Sequence, residues 1–114
     1  MNIRPVASEA AVPMHWPRHL PRRLTVPATS LWFNLEVSAT RYPDKTACLF
    51  FDQALSYAQL RTQSLAIAGW LQSVGVAKGD RVLLQMQNCP QFVVAYYAIV
   101  RADAVVVPVS PMNT

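Results

Sequence analysis

Apolar side chains recur along the chain at spacings that shift between helical and strand-like, and each shift marks an element boundary. Leu31, Leu35 and Ala39, with Trp32 and Tyr42 beside them, make one apolar face and predict a helix over 31–41, capped by Thr29 or Ser30. Pro43 ends it, because the residue before a proline is pushed out of the α region. Thr46 to Phe51 is a β-branched and aromatic run that reads as a strand, and Asp52, Gln53 and Ala54 predict a turn into Leu55.

Ser56, Tyr57, Ala58 and Gln59 spell a capping box, in which the Ser56 hydroxyl accepts from the Gln59 amide and the Gln59 side chain reaches back. Leu55 and Leu60 stand where a hydrophobic staple fixes the entry of the chain. Leu60, Ser64, Ile67, Leu71 and Val74 then predict a helix over 57–74, with Gly75 as its left-handed terminator and Val76 folding back on Leu71.

Lys78, Gly79 and Asp80 predict a tight turn into a strand over 81–87, where Val82, Leu83, Leu84 and Met86 read as buried on both faces. Asn88 or Cys89 caps the next helix, with Pro90 in its first turn and an end near Ala102. Phe92 to Val100 is apolar on every side, which places this helix inside a body instead of on its surface. Val105 to Val109, interrupted by Pro108, is a further strand. Strand, helix, strand at this spacing is a βαβ unit with parallel strands. The fold class is therefore α/β: helix, β-hairpin, helix, then βαβ.

The apolar set AVILMFWYC accounts for 53% of the 114 residues and Asp, Glu, Lys and Arg for 14%, against roughly 25% charged in an average soluble domain. That balance excludes disorder for most of the chain, and the length allows one core, not two. The longest apolar run falls short of the roughly 18 to 20 residues needed to cross a bilayer. A parallel pair needs further strands and helices on both faces. Residues 28–114 are thus expected to be the N-terminal portion of a larger α/β domain, with the rest of that domain as partner.

The net charge of +4 is not spread evenly. Residues 1–27 hold Arg4, Arg18, Arg22 and Arg23 against Glu9, whereas residues 28–114 hold six basic and five acidic side chains. A folded nucleic-acid reader shows its basic patch on its own elements, so no nucleic-acid partner is expected. Pro5, Pro13, Pro17, Pro21 and Pro27 deny residues 1–27 a regular helix. The segment reads as a flexible or extended N-terminal extension, and its prolines argue against an amphipathic transit peptide.

Candidate chemistry is sparse. His15 and His19 have the spacing of a helical metal pair, but Pro17 lies between them. Cys48 and Cys89 fit neither a zinc motif nor a redox C-x-x-C and read as small buried thiols in a reducing, cytoplasmic setting. Gly69, Gly75 and Gly79 are the only glycines, which excludes a G-x-G-x-x-G loop. Glu36, Asp44, Asp52, Asp80 and Asp103 are scattered singly and read as solvated surface, not as an acid and base pair. The turn around Gly79 reads either as a set of amides for an anion or, preferably, as a plain entry to a strand. No catalytic, cofactor-binding or metal-ligating residue is expected in this chain.

Residues 29–114 resemble the start of the AMP-forming acyl-CoA synthetases, the adenylate-forming family. The resemblance is carried by Tyr42-Pro43-Asp44-Lys45-Thr46-Ala47, by Leu55-Ser56-Tyr57-Ala58-Gln59-Leu60, and by Gly75-Val76 through Lys78-Gly79-Asp80-Arg81-Val82. It continues with Asn88-Cys89-Pro90-Gln91-Phe92-Val93-Val94-Ala95-Tyr96 and Ala104-Val105-Val106-Val107-Pro108-Val109-Ser110-Pro111. Two positions depart from the family pattern. Asp103 stands where glycine is usual, which a left-handed conformation would explain, and Ser110 stands where asparagine is frequent.

The resemblance implies a parent ligase that joins a carboxylic acid, in the first instance a fatty acid, to ATP as an acyl-adenylate and passes the acyl group to coenzyme A. ATP, Mg and coenzyme A are implied for that parent and none of them for this segment. The family's nucleotide loop, its adenine and ribose motifs and its C-terminal lysine have no counterpart among these residues, so the chain alone is expected to be inactive scaffold. The alternative is a complete, non-enzymatic module that binds a partner through exposed apolar surface.

Overall fold

A computed structural model describes residues 15–113. The prolines and arginine at positions 4, 5 and 13 lie outside the described residues. Within 15–30 there are turns and bends but neither helix nor strand, and every residue is exposed.

Ser30 is the first cap: its hydroxyl accepts from the Phe33 N–H at 3.1 Å and starts α1 (Leu31–Arg41). Leu35 and Ala39 are its buried side chains, as their spacing predicts. β1 (Thr46–Phe50) and β2 (Gln53–Ser56) pair antiparallel, with a bulge between Thr46 and Cys48. The first strand is one residue shorter than expected and the turn is not at Asp52, Gln53 and Ala54. Phe50 pairs with Gln53, so the reversal falls on Phe51 and Asp52, and Phe51 carries it at φ 52°. Cross-strand pairing claims Gln53 and Ala54, and the aromatic run ends because Phe51 has turned out to solvent.

The hairpin delivers Ser56 to the start of α2 (Tyr57–Ser73), where the Tyr57 and Ala58 amides donate to the Lys45 and Pro43 carbonyls. The capping box is complete: the Gln59 N–H donates to Ser56 Oγ at 3.1 Å, and the Ser56 N–H donates to Gln59 Oε1 at 2.9 Å. At the other end Val74 is the cap and Gly75 takes φ 98°. The Val76 N–H donates to the Leu71 carbonyl and the Gly75 N–H to that of Gln72, the Schellman pattern. The buried stripe is Leu60, Ser64, Ala68 and Leu71, which keeps three of the expected positions and has Ala68 in place of Ile67 and Val74. Ile67 and Val74 lie outward, because α1 and α3 cover only the face centred on Ser64.

β3 (Arg81–Gln85) and β4 (Val105–Val109) pair parallel and in register, Arg81 beside Val105 and Gln85 beside Val109. Between them runs α3 (Pro90–Arg101), with Pro90 in its first turn and Cys89 as an N-cap that makes no side-chain bond. From Phe92 to Val100 no residue of α3 is exposed, and the helix touches α1, α2 and three of the four strands. The strand over 81–87 is two residues shorter than expected and is not buried on both faces. Val82, Leu84 and Met86 point toward α2 and α3, while Leu83 is 62% exposed, since no element among the described residues covers the other face of the pair. Two apolar clusters result: Ala68, Leu71, Leu84, Ala98, Ile99 and Ala102 between α2, β3 and α3, and Leu35, Leu60 and Val94 between the three helices. No helix of the described residues is long and apolar enough to cross a membrane.

Candidate functional site

A parallel pair gathers its chain exits at the carboxyl ends of the strands, the edge where open α/β sheets hold ligands. Here β3 runs out into Met86, Gln87 and Asn88, and β4 into Ser110, Pro111 and Met112, with a cleft of about 380 Å³ between the two exits. Phe92 of α3 also lines it. The loop after β4 is tied down: the Gln85 amide donates to the Asn113 carbonyl at 3.3 Å, the Asn113 N–H to the Ser110 carbonyl at 3.1 Å, and the Met112 N–H to Ser110 Oγ at 3.3 Å.

The lining is apolar apart from the Gln87 and Asn88 amides and the Ser110 hydroxyl, and it contains no Lys, Arg, His, Asp or Glu. Such a wall can orient a neutral or apolar group. It does not fit a triphosphate or a magnesium ion, whose charge needs cationic or carboxylate partners. Among the described residues there is no group of three or more His, Cys, Asp or Glu side chains placed to hold a metal.

A second cleft, about 220 Å³, lies among α1, β1, α2 and α3 and brings Cys48, Tyr57 and Tyr97 together. Burial pushes the Cys48 thiol up. Burial also raises the Tyr97 phenol, and the neighbouring Tyr57, Cys48 and Tyr96 add to it. Both shifts favour the protonated form, the reverse of what an activated nucleophile requires. Both cysteines are free and half-buried, less enclosed than expected from sequence, because Cys48 sits at this cleft and Cys89 at a helix entry.

His15 and His19 are exposed. Asp44, Asp52, Asp80 and Asp103 are exposed and stand apart from one another along the chain. Glu36 departs from the expectation of a singly solvated acid: its Oε1 accepts from Arg61 at 2.8 Å and 2.9 Å, pairing α1 with α2. Three amides of the turn before β3 are already engaged within the chain, which leaves few for an anion. Gly79 donates to the Asp103 carbonyl at 2.9 Å and Asp80 to that of Ala77, while the Asp80 carboxylate accepts the Ala77 N–H at 2.8 Å. Asp103 has φ 59°, the left-handed conformation that a usual glycine at this position implies. The cleft at the strand ends was not expected from sequence; the two strand exits of the βαβ unit were the signal for it.

Residues 35–114 match the AMP-binding enzyme family. A long-chain-fatty-acid–CoA ligase of Bacillus subtilis is 39% identical over 99 residues, which cover 87% of this chain and 18% of that protein. The N-terminal subdomain of Klebsiella oxytoca NpsA superposes with a TM-score of 0.71 at 27% identity, over 75% of this chain and 22% of its own. The fatty acid AMP ligase of Legionella pneumophila superposes with a TM-score of 0.69 at 30% identity, over 75% and 16%. The chain thus matches about a sixth of the length of its curated relatives.

Proposed function

This chain belongs to the AMP-binding enzyme family, and on that premise we propose that it is the opening scaffold of an acid–CoA ligase whose acid is a long-chain fatty acid. The parent reaction joins the carboxylate to ATP, releases pyrophosphate, and passes the acyl group from the adenylate to the thiol of coenzyme A. ATP, magnesium and coenzyme A supply the phosphoryl chemistry, the charge neutralisation and the acceptor. The uncharged lining of this segment's cleft offers the charged groups of the three no partner, so no step of the reaction is placed on its residues.

The observation that carries the proposal is the 39% identity to a long-chain-fatty-acid–CoA ligase over 87% of this chain. Leu83 on the open sheet face, and Trp70 on the outer side of α2, add to it as apolar surface that the rest of a domain would cover. The proposal takes residues 28–114 as ligase scaffold and residues 1–27 as an extension whose later part is shared with the Bacillus subtilis ligase, in a cytoplasmic setting.

A chimera tests this. The matching segment of the Bacillus subtilis ligase is replaced by residues 28–114, and fatty-acid-dependent exchange of pyrophosphate into ATP is measured. Exchange within about tenfold of the unmodified enzyme is expected, whereas a folded but inactive chimera would overturn the reading.

A further inference from the structure

The basic charge of this chain and part of its most exposed apolar surface fall in the same short stretch, ahead of the first helix. We propose that residues 15–26 are a docking segment for an anionic lipid bilayer. No Asp or Glu occurs between Glu9 and Glu36, while Arg18, Arg22 and Arg23 lie inside that interval and are all exposed. Interleaved with them are Trp16, Leu20, Leu24 and Val26, the last two 86% and 81% exposed. Apolar groups at that exposure lose little by leaving the protein surface and gain by entering an acyl boundary.

The local geometry suits an interface. The Leu20 N–H donates to the Pro17 carbonyl at 3.1 Å and the Trp16 indole N–H to the Leu20 carbonyl at 3.2 Å. The indole therefore carries its own acceptor into a less polar medium, which removes the main cost of moving it there. Pro17, Pro21 and Pro27 keep the segment from forming a helix, so its arginines need not segregate onto one face. Long guanidinium side chains reach headgroup phosphates from an extended backbone while the leucines lie deeper.

The apolar side chains also choose the partner. A single-strand nucleic-acid surface stacks bases on successive aromatic rings, and here the groups accompanying Trp16 are aliphatic. The folded remainder, near charge balance, adds little attraction of its own. The segment lies ahead of the residues that the family match covers, 35–114, and largely within the longer stretch shared with the Bacillus subtilis ligase; the test reads vesicle binding alone, so its outcome is distinguishable from that of the ligase reading.

The test is co-sedimentation of the whole 114-residue chain with vesicles of phosphatidylcholine alone and of phosphatidylcholine mixed with phosphatidylglycerol. Each arginine at an anionic surface contributes roughly fivefold in partitioning. The triple variant Arg18→Gln, Arg22→Gln, Arg23→Gln should therefore lose about a hundredfold on the mixed vesicles. Arg41→Gln with Lys78→Gln, which removes charge from the folded part, should leave binding unchanged, and Leu20→Ser with Leu24→Ser should weaken it. Equal binding of the native chain to both vesicle types would overturn the proposal. So would single-stranded RNA binding that is tighter than vesicle binding and depends on the same three arginines.

Discussion

Ser64 Oγ donates to the Val94 carbonyl oxygen at 3.3 Å, joining α2 to α3 through a side chain with no exposed surface. Val94 lies inside α3, where the helix ladder already supplies a donor to its carbonyl. The serine bond is an addition to a satisfied acceptor, so Ser64→Ala should cost no more than about 1 kcal/mol. The small volume matters more than the hydroxyl. Ser64→Leu overfills the contact between the two helices and should cost about 1 to 3 kcal/mol or more. Urea unfolding of the two variants in the chimeric ligase checks the order, and equal losses would show that the hydroxyl and not the space decides.

Ser56 and Gln59 satisfy each other's backbone amides at the entry to α2. Ser56→Ala should lower stability by about 1 kcal/mol, and Ser56→Asp should recover most of it, since either side-chain oxygen caps the same N–H. A shift in denaturation midpoint with an unchanged slope is the expected form of the result.

These two relationships differ in how far sequence reveals them. The capping box, the stop at Pro43 and the Gly75 terminus depend on neighbours within five residues, so their chemistry is written locally. The Ser64 contact and the Glu36 to Arg61 pair join residues 30 and 25 positions apart, and no local pattern selects them. Phe51 was misread for a related reason. Its β propensity extends the strand, but the pairing of Phe50 with Gln53 forces the reversal onto it. Leu83 was misplaced because a run of Val, Leu and Leu has no polar alternation to mark its outward face. The candidate cleft is a property of the βαβ topology more than of any residue, so no residue type marks it in the sequence.

The Cys48 thiol and the Tyr97 phenol are both raised by burial, from ordinary values of 9.0 and 10.0. In the unfolded chain each ionises at its ordinary value, while in the folded protein each keeps its proton to higher pH. Their contribution is thus fully present below about pH 9 and is lost as pH rises through the folded values. Stability should fall as pH rises above about 9, and Tyr97→Phe with Cys48→Ala should flatten that fall. An unchanged slope in the double variant would mean that other groups control the alkaline limit.

Residues 15–27 are exposed throughout, so a chimeric ligase that carries residues 1–114 and one that carries residues 28–114 should melt within a few degrees of each other. Activity on a fatty acid presented in solution should also be kept. A larger drop would show that the extension packs on the folded part.

The open face of the β3 and β4 pair sets the behaviour of the 114-residue chain by itself. Leu83 at 62% and Val105 at 48% exposure lie on that face, and Trp70 and Val74 crop out on α2. Covering a side chain of this kind contributes roughly 1.5 to 3 kcal/mol, so several left uncovered forgo an amount comparable with a small domain's net stability of about 5 to 15 kcal/mol. The chain alone should self-associate, bind a dye for apolar surface and unfold without a sharp transition. Leu83→Gln makes the argument two-sided. It should improve solubility and reduce dye binding in the isolated chain, where the side chain faces water. In the chimeric ligase it should destabilise by about 1 to 3 kcal/mol, because there the same side chain is covered and a buried amide lacks partners. Sedimentation and thermal unfolding of both forms decide the matter. A clean monomer with a sharp transition, indifferent to Leu83→Gln in either setting, would mean that the face needs no cover.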